Sequence, residues 1–190
     1  MTTIYPHIDV EPWMRNEAIR RAALLPKGLK VYGKHSEFHK RAGMLGEIGA
    51  SLYCNQTSIP IDWRDEIGFD VYVRDLKIEV KSMACRTPPQ PGYVQIVSDA
   101  QRGHQPVAGY LFTRVRDTGE HLIDLSGCSR IYITGTCSRL MLDVLGEHHD
   151  AGDHVGECWL AAPGTTIEIR HLFPATNLKL AQPWEEQEPA

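Results

Sequence analysis

GFDVYVRDLKIEVKS, residues Gly68 to Ser82, reads as two short strands joined by a tight turn. Apolar residues alternate along both arms: Phe69, Val71 and Val73, then Leu76, Ile78 and Val80. That period of two is the mark of a strand with one face on a core. The other face carries Asp70, Tyr72, Lys77, Glu79 and Lys81. With a two-residue turn at Arg74-Asp75, Val73 pairs with Leu76, Val71 faces Ile78, and Phe69 faces Val80. Asp70 then stands opposite Glu79, with β-carbons about 5 Å apart. Like charges that close repel unless a cation sits between them. Lys81 is two positions further on, about 6.5–7 Å by strand rise. The pattern suits a divalent ion bridging two carboxylates, with an ammonium at its margin.

Outward from the hairpin, "SEFHKRAGMLGEIGASLYC" (36–54) has the periodicity of a helix, with Phe38, Ala42, Leu45, Ile48, Ala50 and Leu52 on its apolar side. Gly43, Gly46 and Gly49 leave one side nearly bare for close packing on a sheet, at about 1 kcal/mol of helix propensity each. Glu47 lies among them. "EPWMRNEAIRRAALL" (11–25) predicts an earlier helix with Pro12 near its start and a stripe of Trp13, Ile19, Ala22 and Leu25. Downstream, "YVQIV" (93–97) predicts a third strand, "SDAQRGHQ" (98–105) a short helix and "VAGYLFTRV" (107–115) a fourth strand. "HLIDLSG" (121–127) and "RIYITGTC" (130–137) read as further strands, and "SRLMLDVLGEHH" (138–149) as an amphipathic helix closed by a polar loop at 147–154. "TTIEIRHLF" (165–173) is a last strand before an acidic tail. The expectation is an α/β domain with an N-terminal helical arm at 1–33, a core at 34–116 and a C-terminal extension of the same domain at 117–190.

Composition narrows the class. Of 190 residues, 42% are hydrophobic and 23% charged, and no apolar run reaches the roughly 20 residues of a membrane helix. The N-terminus lacks the basic-then-apolar pattern of a secretory signal, so a cytoplasmic location is expected. Five scattered cysteines, Cys54, Cys85, Cys128, Cys137 and Cys158, argue against a disulfide framework. Cys128, Cys137 and Cys158, with His148, His149 and His154, have the residue types of a zinc site but none of its spacings. His35 and His39 sit one helical turn apart without the glutamate of a zinc hydrolase motif. The net charge of −4 is uneven: residues 1–50 carry eight Lys/Arg against five Asp/Glu, while 117–190 carry four against twelve. A basic front third, including Lys34, Lys40 and Arg41, could contact phosphates, as could Arg86 and Arg102 near the hairpin.

Glu47 on a helix, then Asp70, then Glu79-Val80-Lys81, resembles the active-site pattern of the PD-(D/E)XK nuclease superfamily, which has the restriction-endonuclease-like fold. Its mixed-sheet core runs αβββαβ, flanked by helices, and that is the order read here from 36 to 116. The resemblance implies Asp70 and Glu79 as metal ligands, Glu47 completing the metal site, and Lys81 assisting the attacking water. It also implies a polar residue on the third strand or second helix, for which Gln95 is preferred over Gln101. Phe69 stands where the name-giving proline would precede Asp70. Oxygen-only ligands imply Mg²⁺, with Mn²⁺ able to substitute. Residues 117–190 faintly resemble the C-terminal parts of nuclease-fold proteins of phages and mobile elements. The implied function is Mg²⁺-dependent DNA endonuclease in a bacterial or phage-infected cytoplasm. A branched-DNA resolvase, which would need a homodimer, and a non-catalytic DNA-binding module that keeps the fold are the alternatives.

Overall fold

A computed structural model of the chain describes residues 5–24, 36–54, 70–73, 76–104, 107–119, 124–156 and 158–175. The opening strand pair forms in the expected register. β2 (Val71–Val73) runs antiparallel to β3 (Leu76–Cys85), with Val71 opposite Ile78 and Val73 opposite Leu76. Gly68, Phe69 and the Arg74-Asp75 turn lie outside the described residues. Around that pair a five-stranded mixed sheet assembles in the order β1-β6-β5-β3-β2. β1 is His7–Asp9, β5 Gly109–Asp117 and β6 Cys128–Ser138. β5 runs parallel to β3, and the other neighbours are antiparallel.

Among the described residues from 36 to 117 the elements follow as a helix, three strands, a helix and a strand, the order read in the sequence. They are α2 (Ser36–Tyr53), β2, β3, β4 (Val94–Ser98), α3 (Asp99–His104) and β5. The third strand is placed differently from the single-sheet expectation. A parallel β3–β5 pairing needs a crossover, and β4 is part of that crossover rather than of the main sheet. It pairs with β10 (Gly164–Glu168), which also pairs with β7 (Glu147–His149), giving a second, three-stranded antiparallel sheet.

Two apolar layers follow from the alternation along β5. Leu111 and Val115 turn to one face, where Ile78, Val80, Ile131 and Ile133 meet α2 and α1 (Pro12–Leu24). Tyr110 and Phe112 turn to the other, against Val97, Ile167 and Leu142 of α4 (Arg139–Leu145). With both faces covered, β5 is almost continuously buried, as a central parallel strand should be.

Several expectations need correction. The buried stripe of α1 is Met14, Ala18 and Ala22, four residues apart, while Trp13 stays half exposed and gives its indole N–H to Glu11. In the segment expected as an N-terminal helical arm, α1 and β1 pack into the core. Residues 124–127 of the expected "HLIDLSG" strand form a turn into β6, with Leu125 at φ 59° and buried; 121–123 lie outside the described residues. The expected polar loop at 147–154 contains β7 and the start of a small hairpin, β8 (His154–Val155) with β9 (Cys158–Trp159). The last strand ends at Glu168 and passes into a single 3₁₀ turn, Ile169–His171. The C-terminal segment supplies β6 to one sheet and β7 and β10 to the other, so it completes the core.

Two of the three helix glycines bring α2 onto the sheet. A β-carbon at Gly46 would collide with Ser82 and Thr113, and one at Gly49 would stand 2.7 Å from Ile131; Gly43 faces open space. Gly46→Ala should therefore cost about 1–3 kcal/mol through overpacking, and Gly43→Ala should gain up to about 1 kcal/mol of helix propensity. Urea denaturation of the two variants beside the wild type gives both signs. Equal effects would mean that the helix does not sit this close.

Candidate active site

Glu79 and Lys81 alternate with Ile78 and Val80 along β3, so they point away from α2 into the layer between the sheets. Both are buried, at 7% and 8% exposure. A buried charge needs a partner, and each supplies the other's: Lys81 Nζ lies 2.5 Å from Glu79 Oε1. β2 begins at Val71, and Asp70 leaves the regular ladder that the sequence pattern extends to it. Its backbone N–H donates to Ile78 O at 3.0 Å, and its carboxylate Oδ2 accepts from the Val80 N–H at 2.7 Å. The Asp70 side chain thus takes a position that a strand partner would fill. There it meets the Glu79 carboxyl through a hydrogen bond.

Glu47 comes from α2, held low over the sheet by Gly46. Its Oε2 is sealed from solvent and has no hydrogen-bond partner among the described residues. Burial, and then the negative charges of Asp70 and Glu79, push its pKa well above the usual carboxylate range; Lys81 and Arg21 oppose this only in part. Burial first, and then Glu79, push Asp70 up to about 7 against the pull of Lys81 and the Val80 N–H. Three carboxyl groups therefore compete for one ammonium. Asp70 and Lys81 both meet Glu79, and the charges of all three act on Glu47.

Gln95 is not with them. It is fully buried on β4, and its amide donates to Thr134 Oγ1 at 3.0 Å, which in turn donates to Phe112 O. Its hydrogen bonding joins the two sheets. Gln101 lies on α3. Lys40 and Arg41 pair with Glu37 at 3.5 and 3.8 Å, and Arg102 is held by Thr165 and Asp143. Lys34 and His35 lie outside the described residues. Cys128 and Cys137 belong to the two different apolar layers, and burial pushes both thiols up to about 12. They cannot share an ion, so the cysteine–histidine set of the sequence does not converge.

Among the described residues no three His, Cys, Asp or Glu side chains stand ready around a common ion. The donor chemistry nonetheless fits one. All candidate ligands are carboxylate oxygens, one of them is orphaned and buried, and their mutual repulsion is what a hard divalent cation relieves.

Sequence reasoning missed Tyr110, whose place beside Glu79 depends on the β3–β5 pairing. The field of Arg21 on α1 also reaches Glu47. Comparison with protein-family models, curated proteins and solved structures finds no match for this chain.

Proposed function

We propose that this chain is a Mg²⁺-dependent DNA endonuclease with a restriction-endonuclease-like core of the PD-(D/E)XK type. One observation carries the reading: Asp70 at the start of β2 meets buried Glu79 on β3, Lys81 pairs with Glu79, and the charges of all three act on Glu47 of α2, whose Oε2 is sealed from solvent. A cluster of that kind costs stability, and structures keep such clusters where chemistry uses them. The helix–three strands–helix–strand order around it agrees with the family pattern. The β4 pairing with β10 is a departure from one continuous core sheet.

Asp70, Glu79 and Glu47 are the residues that would hold Mg²⁺. When bound, the ion supplies an activated water and neutralises charge on the reacting phosphate. The rest belongs to the chain. Lys81 reaches the margin of the site and stabilises negative charge that develops on the phosphoryl oxygens during in-line attack. To do so it would have to give up its contact with Glu79, whose carboxylate would then be one of the residues that hold the ion. The Val80 N–H fixes one oxygen of Asp70 and so sets the direction in which the carboxylate is presented. With a net charge of −4, DNA contact is expected at a small local cleft rather than by broad wrapping.

The test is nicking of supercoiled plasmid in Mg²⁺, Mn²⁺ or EDTA by wild type, Glu79→Gln and Lys81→Ala. Wild type should cut only with metal, and both variants should be slower by at least about 100-fold. Metal-dependent cutting retained by both variants overturns the residue assignment. No cutting of duplex, single-stranded or branched DNA by the wild type favours the non-catalytic binding module.

A further inference from the structure

Across the parallel pairing of β3 with β5, Glu79 stands directly beside Tyr110. Paired residues on neighbouring strands project to the same face, about 4.8 Å apart. Tyr110 is 1% exposed, and its hydroxyl has no hydrogen-bond partner among the described residues. A buried phenol normally finds one. Its ring is fixed against Phe112, with centroids 6.2 Å apart, in the layer that includes Leu142 and Ile167. The charges of Arg139, Arg102 and Glu79 all act on its oxygen. Burial keeps the phenol protonated, so it has an O–H to give. The cations have other engagements: Arg139 donates to Arg102 O, and Arg102 is held by Thr165 and Asp143.

We infer that Tyr110 is the positioning residue for Glu79, its hydroxyl donating to the carboxylate when Lys81 releases it. This rests on the metal-site reading above. Lys81 occupies Glu79 Oε1, and the Tyr110 hydroxyl has no partner among the described residues. Were Lys81 to turn to a bound phosphate, a hydroxyl donor on the neighbouring strand would help to hold the orientation of the buried carboxylate. Carboxylates that bind metals are themselves held by hydrogen bonds, and losing such a support typically costs 10- to 100-fold in metal affinity or activity. Tyr110 acts through Glu79 and touches neither substrate nor water.

Tyr110→Phe removes only the oxygen. Melting of the full chain in EDTA should be unchanged or slightly higher, because the lost hydroxyl had no partner. In a Mn²⁺ titration followed by the rise in melting temperature, the midpoint should move up about 10-fold. Plasmid nicking should slow, with little change in the DNA concentration at half-maximal rate. A normal wild-type titration with an unmoved midpoint in Tyr110→Phe overturns this inference alone. So does lower stability in EDTA with an unmoved midpoint, which marks a structural hydroxyl. A wild type that shows no metal-dependent shift overturns the metal reading and this inference together.

Discussion

Asp70→Asn will abolish metal-dependent DNA cutting, by about 10³-fold or more, and will raise the stability of the metal-free protein at pH 8. The two effects have one cause. Asparagine keeps an oxygen for the Val80 N–H, so the local backbone geometry survives. What disappears is a negative charge that meets Glu79 beside Lys81. At pH 8 the wild-type carboxyl, with its pKa pushed up to about 7, is held ionised against burial and against Glu79. Each unit of such a shift corresponds to about 1.4 kcal/mol. Relief of this repulsion should stabilise the variant by about 1–3 kcal/mol, a few degrees in melting temperature for a chain of this size. The same change removes a proposed ligand, so added Mg²⁺ or Mn²⁺ should stabilise the wild type and leave the variant unmoved. Calorimetry in EDTA and in metal, beside the nicking assay, reads all three quantities. A variant that loses activity and stability together would mean that Asp70 is a structural residue, and the metal assignment would fall.

How far the sequence carries depends on how local each determinant is. The β2–β3 register follows from a period of two within fifteen residues, and the Val71–Ile78 pairing matches it. Glu47 was legible because the glycines around it announced a helix laid closely on a sheet, and Gly46 and Gly49 do meet β-strand side chains. The exit of Asp70 from the ladder was not legible, because it depends on a side chain replacing a strand partner. The sheet that β4 joins depends on β10, about 70 residues later, and no local pattern encodes that pairing. Gln95 follows the hairpin on a strand, as the family pattern asks; once β4 pairs elsewhere, its amide serves Thr134 instead. Tyr110 failed to register for the opposite reason. An aromatic residue in the apolar run "YLFTRV" reads as core, and only the parallel pairing puts it next to Glu79. The turn at 124–127 shows the same limit: Leu125 is apolar and buried but sits at positive φ.

Metal-free protein will become less stable as pH rises through neutrality, and Mg²⁺ will restore what is lost. Asp70 is raised from 3.8 to about 7 in the folded chain, and Glu47 is raised well above 4.5. Between its unfolded and folded pKa, each group stays protonated in the native state while the unfolded chain has released the proton. Stability therefore falls with increasing pH across that interval, by at most about 1.4 kcal/mol per pH unit for each proton. For Asp70 the contribution is complete below about pH 4 and gone above about pH 7. The charged groups that act on this pair are Glu79 and Lys81 on β3 and Arg21 on α1; the two cations oppose the trend but do not cancel it. Urea denaturation in EDTA should show a loss of up to about 2–3 kcal/mol between pH 5 and pH 7 from Asp70, with Glu47 acting in the same direction. The informative quantity is the difference from Asp70→Asn and Glu47→Gln, in which the slope should flatten. Millimolar Mg²⁺ should flatten it as well, because a divalent ion favours the ionised carboxylates and compensates for their burial. A slope that is the same in both variants, or that rises with pH in the wild type alone, would show that these carboxyl groups are not held protonated against one another. The site would then lack the charge conflict on which the nuclease reading is built.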